Sequence, residues 1–267
     1  EHIDNLTAEL TAILQIEAER RKDIKDYQTA WLIRQHIREI NPEDLNNLLN
    51  IIQLSSHIDI YKDEELPLYK VSTVIKTKKN INCECDLLLE TISQVLDVYP
   101  LLTSTYDFIE ACIKNTNNLS QIINIISNKA GLFLNNLADE RLKKLTENFL
   151  KAANQNIEIL VNLANIYQNN GKNLESLIFT NRVIDLSTNL LDKIAANYLT
   201  VRGLMRTGGY WQQAEEAHRK YQTLLSELIE TNSDVSQEHL VNLITTVAFA
   251  PYFQDEPSHN HKFRSRL

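Results

Sequence analysis

Five glycines and five prolines in 267 residues set the first limit on this chain. A sheet sandwich or barrel of that length needs many tight turns. Such turns draw on glycine for positive φ and on proline for a preset φ. An all-β fold is therefore not expected, and apolar residues recur at helical spacing along nearly every stretch. Hydrophobic residues at 43% and charged residues at 23% are the proportions of a folded chain rather than a disordered one. The formal net charge of −8 argues against a general phosphate-binding surface, so no nucleic-acid partner is expected. No apolar run approaches about 18 residues, so no membrane span is expected either.

The chain opens at Glu1-His2-Ile3 without a charged-then-apolar leader, and His259 to Leu267 stops without a folding signal. Both ends suggest a piece of a longer protein. Cys83, Cys85 and Cys112 are too few and too clustered for a disulfide framework, which fits a reducing cytoplasm.

Helical periodicity this general calls for a search for internal repeats. The clearest unit is 157–188. Counting Ile157 as position 1, Leu160, Leu163 and Tyr167 form one apolar stripe, Ala164 is small enough for a close helix crossing, and Gly171 releases a turn. Ser176 and Thr180 stand in the second helix where alanine and an aromatic are usual. This spacing resembles the tetratricopeptide repeat, a helix–turn–helix unit of about 34 residues.

A second unit covers 195–228, with the turn at Gly209-Tyr210-Trp211-Gln212-Gln213-Ala214 and Tyr221 where a small residue is usual. A third covers 11–44, with Asp26-Tyr27-Gln28-Thr29-Ala30 at its turn and Asn41-Pro42-Glu43-Asp44 at its exit. Leu48, Ile51 and Ile52 continue the pattern. Phe108, Ile109 and Cys112 form the stripe of a degenerate unit near Leu102. The units at Ile157 and Ala195 start 38 residues apart, longer than one repeat. Residues 63–84, with Pro67 and the β-prone run Val71 to Ile75, read as a loop or a distorted helix pair. A last half-repeat is expected over 237–250, followed by a tail over 251–267. The fold class expected is all-α, one tetratricopeptide-like right-handed superhelix over 1–267, an α-solenoid with irregular middle repeats.

Little chemistry is legible. Gly208-Gly209 lacks the companions of a phosphate-cradling loop and reads as a turn. Cys83-x-Cys85 and His259-x-His261 fall short of the four ligands that a structural zinc site needs. Asp63-Glu64-Glu65, Asp139-Glu140 and Glu19-Arg20-Arg21-Lys22 read as solvated faces or helix starts. No catalytic constellation, cofactor or metal is expected, and an enzyme in its own right is disfavoured.

Stacked helix hairpins leave a concave surface lined by first helices, which suits a protein or an extended peptide. Asn50, Asn162 and Asn242 share position 6 of three units. Asparagine is a poor helix-interior residue, so its return at one phase suggests a surface role. Its amide offers two donors and an acceptor to a peptide backbone. Asn165 and Asn169 continue the stripe from Asn162, and Arg206 adds an anionic contact, completing the expected peptide-binding groove.

Val161-Asn162-Leu163-Ala164 resembles the asparagine signature of the tetratricopeptide superhelix in O-linked N-acetylglucosamine transferases. Glu238 to Ile244, followed by Phe249 to Pro257, resembles the half-repeat that leads into the catalytic domain of the SPINDLY-like branch. Asp26 to Pro42 is similar to bacterial members of that group. The resemblance implies a substrate- or partner-binding arm, with the catalytic residues beyond Leu267. The alternative is a stand-alone adaptor or scaffold.

Overall fold

The structure, a computed structural model, describes residues 2–60, 66–77, 85–115, 119–129 and 131–231. Among the described residues all regular structure is α-helical. The chain divides into two compact units, Glu1–Ala152 and Ala153–Leu267. No helix among the described residues is long and apolar enough to cross a membrane.

Unit 1 contains α1 (His2–Asp23), α2 (Tyr27–Ile40), α3 (Leu45–Ser55), α4 (Leu68–Thr77) and α5 (Cys85–Val98). It continues with α6 (Thr103–Asn115), α7 (Leu119–Lys129), α8 (Gly131–Asn136) and α9 (Asp139–Ala153). Lys25, at φ 62°, turns the chain between α1 and α2. The Asp26 carboxylate then accepts from the Thr29 N–H and satisfies one of the unpaired donors of the new helix. Ala30, Arg34 and Ile37 fall at i, i+4 and i+7 and are all buried. After Pro42, Asp44 caps α3 in the same way by accepting from Asn47 N–H, and Leu48, Leu49, Ile51 and Ile52 are fully buried. Each such side chain contributes about 1.5–3 kcal/mol on burial.

Arg34 ties three helices together. Its guanidinium donates to Glu19 of α1 and, at 3.4 Å, to Asn47 Oδ1 of α3, while Asn47 Nδ2 returns a bond to the Arg34 carbonyl at 2.9 Å.

Beyond α3 the packing becomes less sequential. α3 contacts α4 and α5, α4 packs on α6, and α5 on α7. Within 63–84, read as a loop or a distorted helix pair, residues 68–77 form α4, and Val71 to Ile75 lie inside it. Leu68, Val71, Val74 and Ile75 bury one face of a helix, and that burial outweighs local β preference. In α6, Phe108, Ile109 and Cys112 are fully buried.

Glu110, on α6, is only 3% exposed. It is held by Lys114 at 2.8 Å, by Lys144 of α9 at 3.1 Å and by Asn148 Nδ2 of α9 at 3.0 Å. Burial pushes its carboxyl up, and the three donors more than offset this, leaving it below the usual carboxylate range.

Unit 2 is more regular. It consists of α10 (Ile157–Asn169), α11 (Asn173–Leu186), α12 (Leu190–Thr207) and α13 (Trp211–Thr231). Each helix packs on the next, and α10 also packs on α12. Gly171 at φ 74° and Gly209 at φ 73° stand two residues before the second helix of each hairpin. An added Cβ would meet nothing at either glycine, so positive φ is what favours glycine there.

Leu160, Leu163 and Ala164 are fully buried, and Tyr167 meets Phe179 of α11 edge-on at 5.1 Å. Ala214 of α13 sits against Val201, Leu204 and Met205 of α12. Ser176 and Thr180 are polar because they are used across helices. Ser176 Oγ accepts from Gln168 of α10, and Thr180 Oγ1 accepts from Thr200 of α12 at 2.9 Å. The second hairpin begins at Leu190 rather than Ala195, so the long interval lies not between the hairpin starts but between the turn glycines Gly171 and Gly209, because α12 is longer than α10. The added length packs Ile194 with Tyr221, Leu225 and Leu228.

Candidate functional site

Asn162, Asn165 and Asn169 fall at i, i+3 and i+7 of α10 and so share one stripe. Asn162 and Asn169 are exposed, and their amides make no hydrogen bond among the described residues. They stand about 10 Å apart along the axis, near the span of three residues of extended peptide. Asn165 is half-buried, and its Oδ1 accepts from Arg202 Nη2 of α12 at 3.0 Å.

That bond belongs to a three-helix network centred on Gln168, which is 2% exposed. Arg202 Nε donates to Gln168 Oε1 at 2.5 Å. Gln168 Nε2 donates to the Leu199 carbonyl at 2.6 Å and to Ser176 Oγ at 3.1 Å. The side chain crosses α12 at Gly203, where an added Cβ would stand 2.8 Å from Gln168 Nε2 and 3.3 Å from the Asn173 carbonyl. Glycine is therefore what lets α10, α11 and α12 close around the amide.

Arg202 also lies 5.8 Å from the Tyr198 ring centroid. Arg206 donates from Nη1 to the Gln168 carbonyl at 3.4 Å, near the C-terminal end of α10, where a cation is favoured by unpaired carbonyls and the helix dipole. Two exposed amides beside two guanidinium groups suit a peptide backbone that carries a carboxylate.

Two further residues were expected in the groove, Asn50 and Asn242. Asn50 is on α3 in unit 1 and donates from Nδ2 to the Asn46 carbonyl at 2.9 Å, a bond within its own helix. Asn242 lies outside the described residues. Counted back from Gly209 as from Gly171, the α12 counterparts of Asn162, Asn165 and Asn169 are Thr200, Gly203 and Thr207. In unit 2 the amide stripe thus belongs to α10 among the described residues.

Sequence reasoning missed Gln168, Arg202 and Gly203. One signal was available: in the glycine alignment Arg202 occupies the place of Ala164. A long cation where a small residue is usual points to a specific partner.

Farther along α13, His218 is 4% exposed and its ring is stacked 6.1 Å from that of Tyr221. Burial pushes the imidazole pKa down, with Glu215 opposing, and burial and then Tyr198 push the Tyr221 hydroxyl up to about 12. Cys112 is buried in α6, while Cys83, His259 and His261 lie outside the described residues. No group of three or more His, Cys, Asp or Glu side chains among the described residues is placed to hold a metal ion.

No protein-family model, curated protein or solved structure matches the chain.

Proposed function

We propose that the chain is a non-catalytic, cytoplasmic protein-binding domain of tetratricopeptide-like helix hairpins, and that the α10–α12 face of unit 2 holds an extended peptide. One observation carries this reading. The Arg202–Asn165 bond joins the asparagine stripe of one first helix to the arginines of the next, making a single polar surface. Asn162 and Asn169 pair with the peptide backbone, and Arg206 with an acidic side chain or a terminal carboxylate. On the resemblance carried by Val161 to Ala164, such a domain serves as the partner-binding arm of a SPINDLY-like glycosyltransferase.

Each amide hydrogen bond contributes about 0.5–1.5 kcal/mol net. Asn162→Ala with Asn169→Ala should therefore weaken binding about tenfold or more while helicity holds, since alanine is the better helix former. The test is an array of random extended peptides probed with the full chain, followed by affinities of the selected peptides for wild type and the double variant. Unchanged affinity with intact circular dichroism would remove the site.

A further inference from the structure

Unit 2 has a second surface that the asparagine stripe does not use. An open cleft of about 720 Å³ runs between α11, α12 and α13, and none of Asn162, Asn165, Asn169, Arg202 or Arg206 lines it. Its floor is apolar, formed by Leu177 and Ile184 of α11, Leu204 of α12, and Ala217 and Leu224 of α13. Its α12 wall extends from Lys193 to Leu204, about 16 Å at the helical rise, or three turns. A trough of that length between helices matches the apolar face of a short helix better than a flat epitope.

The charge of the lining narrows the occupant. Lys193, Arg219 and Lys220 line the cleft with one carboxylate, Glu216, in a chain whose formal net charge is −8, and Arg219 also pairs with Glu215 of α13, outside the lining, at 3.2 Å. Glu216 pairs with Lys220 at 2.8 Å along α13, but both side chains are about two-thirds exposed. A pair so exposed is worth little, so it leaves the lining cationic. The apolar floor disfavours a nucleic-acid backbone, which would set phosphates against leucine and isoleucine.

We propose that this cleft is a docking site for an amphipathic helix of a partner protein, with an apolar stripe flanked by acidic residues. The apolar stripe seats on Leu177, Leu204 and Leu224, and the acidic flanks face Lys193, Arg219 and Lys220. Screening by salt weakens this contact more than it weakens the floor contact.

The test uses the full chain and two fluorescein-labelled synthetic helices of about 16 residues. Both carry leucine at i, i+3, i+4 and i+7, and they differ only in having glutamate or lysine on the flanks. Fluorescence anisotropy should show the glutamate helix binding at least tenfold more tightly than the lysine helix. The triple variant Lys193→Gln, Arg219→Gln, Lys220→Gln should lose about tenfold toward the glutamate helix. Asn181→Glu, an exposed change in the same lining, should weaken it in the same direction. Circular dichroism should stay at the wild-type value in both variants. Absence of binding, equal affinity for the two helices, or wild-type affinity in the triple variant would overturn the proposal. Asn162→Ala with Asn169→Ala should leave this binding unchanged, and a matching loss there would overturn the claim of a separate site.

Discussion

Glu110 in unit 1 and Gln168 in unit 2 are both nearly fully buried polar side chains that tie helices together. One is charged and the other is neutral. Glu110 gathers Lys114, Lys144 and Asn148, and Arg34, also in unit 1, draws together Glu19 and Asn47. In unit 2 the nearly fully buried centre is a neutral amide: Gln168 donates to Ser176 and accepts from the half-buried Arg202, and Thr180 pairs with Thr200. A buried charge is costly when one partner is lost, whereas a buried amide mainly needs exact geometry around it. Unit 1 should therefore be the more sensitive to removal of charge, and unit 2 to small changes of shape.

The two tryptophans allow the units to be read apart, since Trp31 lies in unit 1 and Trp211 in unit 2. The largest effect is expected from Phe179→Ala, which empties a fully buried ring site against Tyr167. It should cost about 3–5 kcal/mol. In a Trp31→Phe background the Trp211 urea midpoint should fall sharply, while Trp31 in a Trp211→Phe background should keep its midpoint. Equal loss at both would show that the units unfold as one.

Glu110→Gln should act in the opposite place, lowering the unfolding free energy read at Trp31 by about 1–3 kcal/mol and leaving that at Trp211 unmoved. Gly203→Ala is a test of shape. Its Cβ displaces Gln168 and presses on the Asn173 carbonyl, so the unfolding free energy read at Trp211 should fall by about 1–3 kcal/mol.

Acid should separate the units again. The lowered pKa values of His218 and Glu110 mean that each group's stability is present above its unfolded pKa and lost as pH falls toward the folded one. His218 starts from 6.5 and Glu110 from 4.5. Unit 2 should therefore weaken first on acidification, and His218→Phe should remove that early phase. Urea midpoints at each tryptophan between neutral pH and pH about 4 check this. The smallest effect is expected from Ile16→Lys on α1, a side chain already 71% exposed. It should change the unfolding free energy read at Trp31 by no more than about 0.5 kcal/mol.

What was legible in the sequence was what is local in the chain. Gly171, Gly209 and the Pro42 junction mark chain reversals within a few residues of where their signals stand, and Leu160, Leu163 and Tyr167 show the buried stripe by spacing alone. The links between helices were hidden because their partners are far apart in sequence: Arg202 is 34 residues from Gln168, and Asn148 is 38 from Glu110. Val71 to Ile75 left a loop and a distorted helix pair both open, because β-branched side chains prefer strands until a neighbour such as α6 offers a surface for a helix face. Asn50 shared its repeat position with Asn162, but its amide is bonded within its own helix.

The α10–α12 face is the proposed place where partner protein binds. The most direct measurement places a photo-crosslinking phenylalanine analogue at Asn162 or at exposed Ile178 of α11, one at a time, in the full chain. Each is irradiated with a peptide selected from the array. A peptide covalently trapped from position 162 and not from position 178 is the expected result. Trapping from 178 alone, at equal helicity, would place the peptide away from the asparagine stripe and contradict the account.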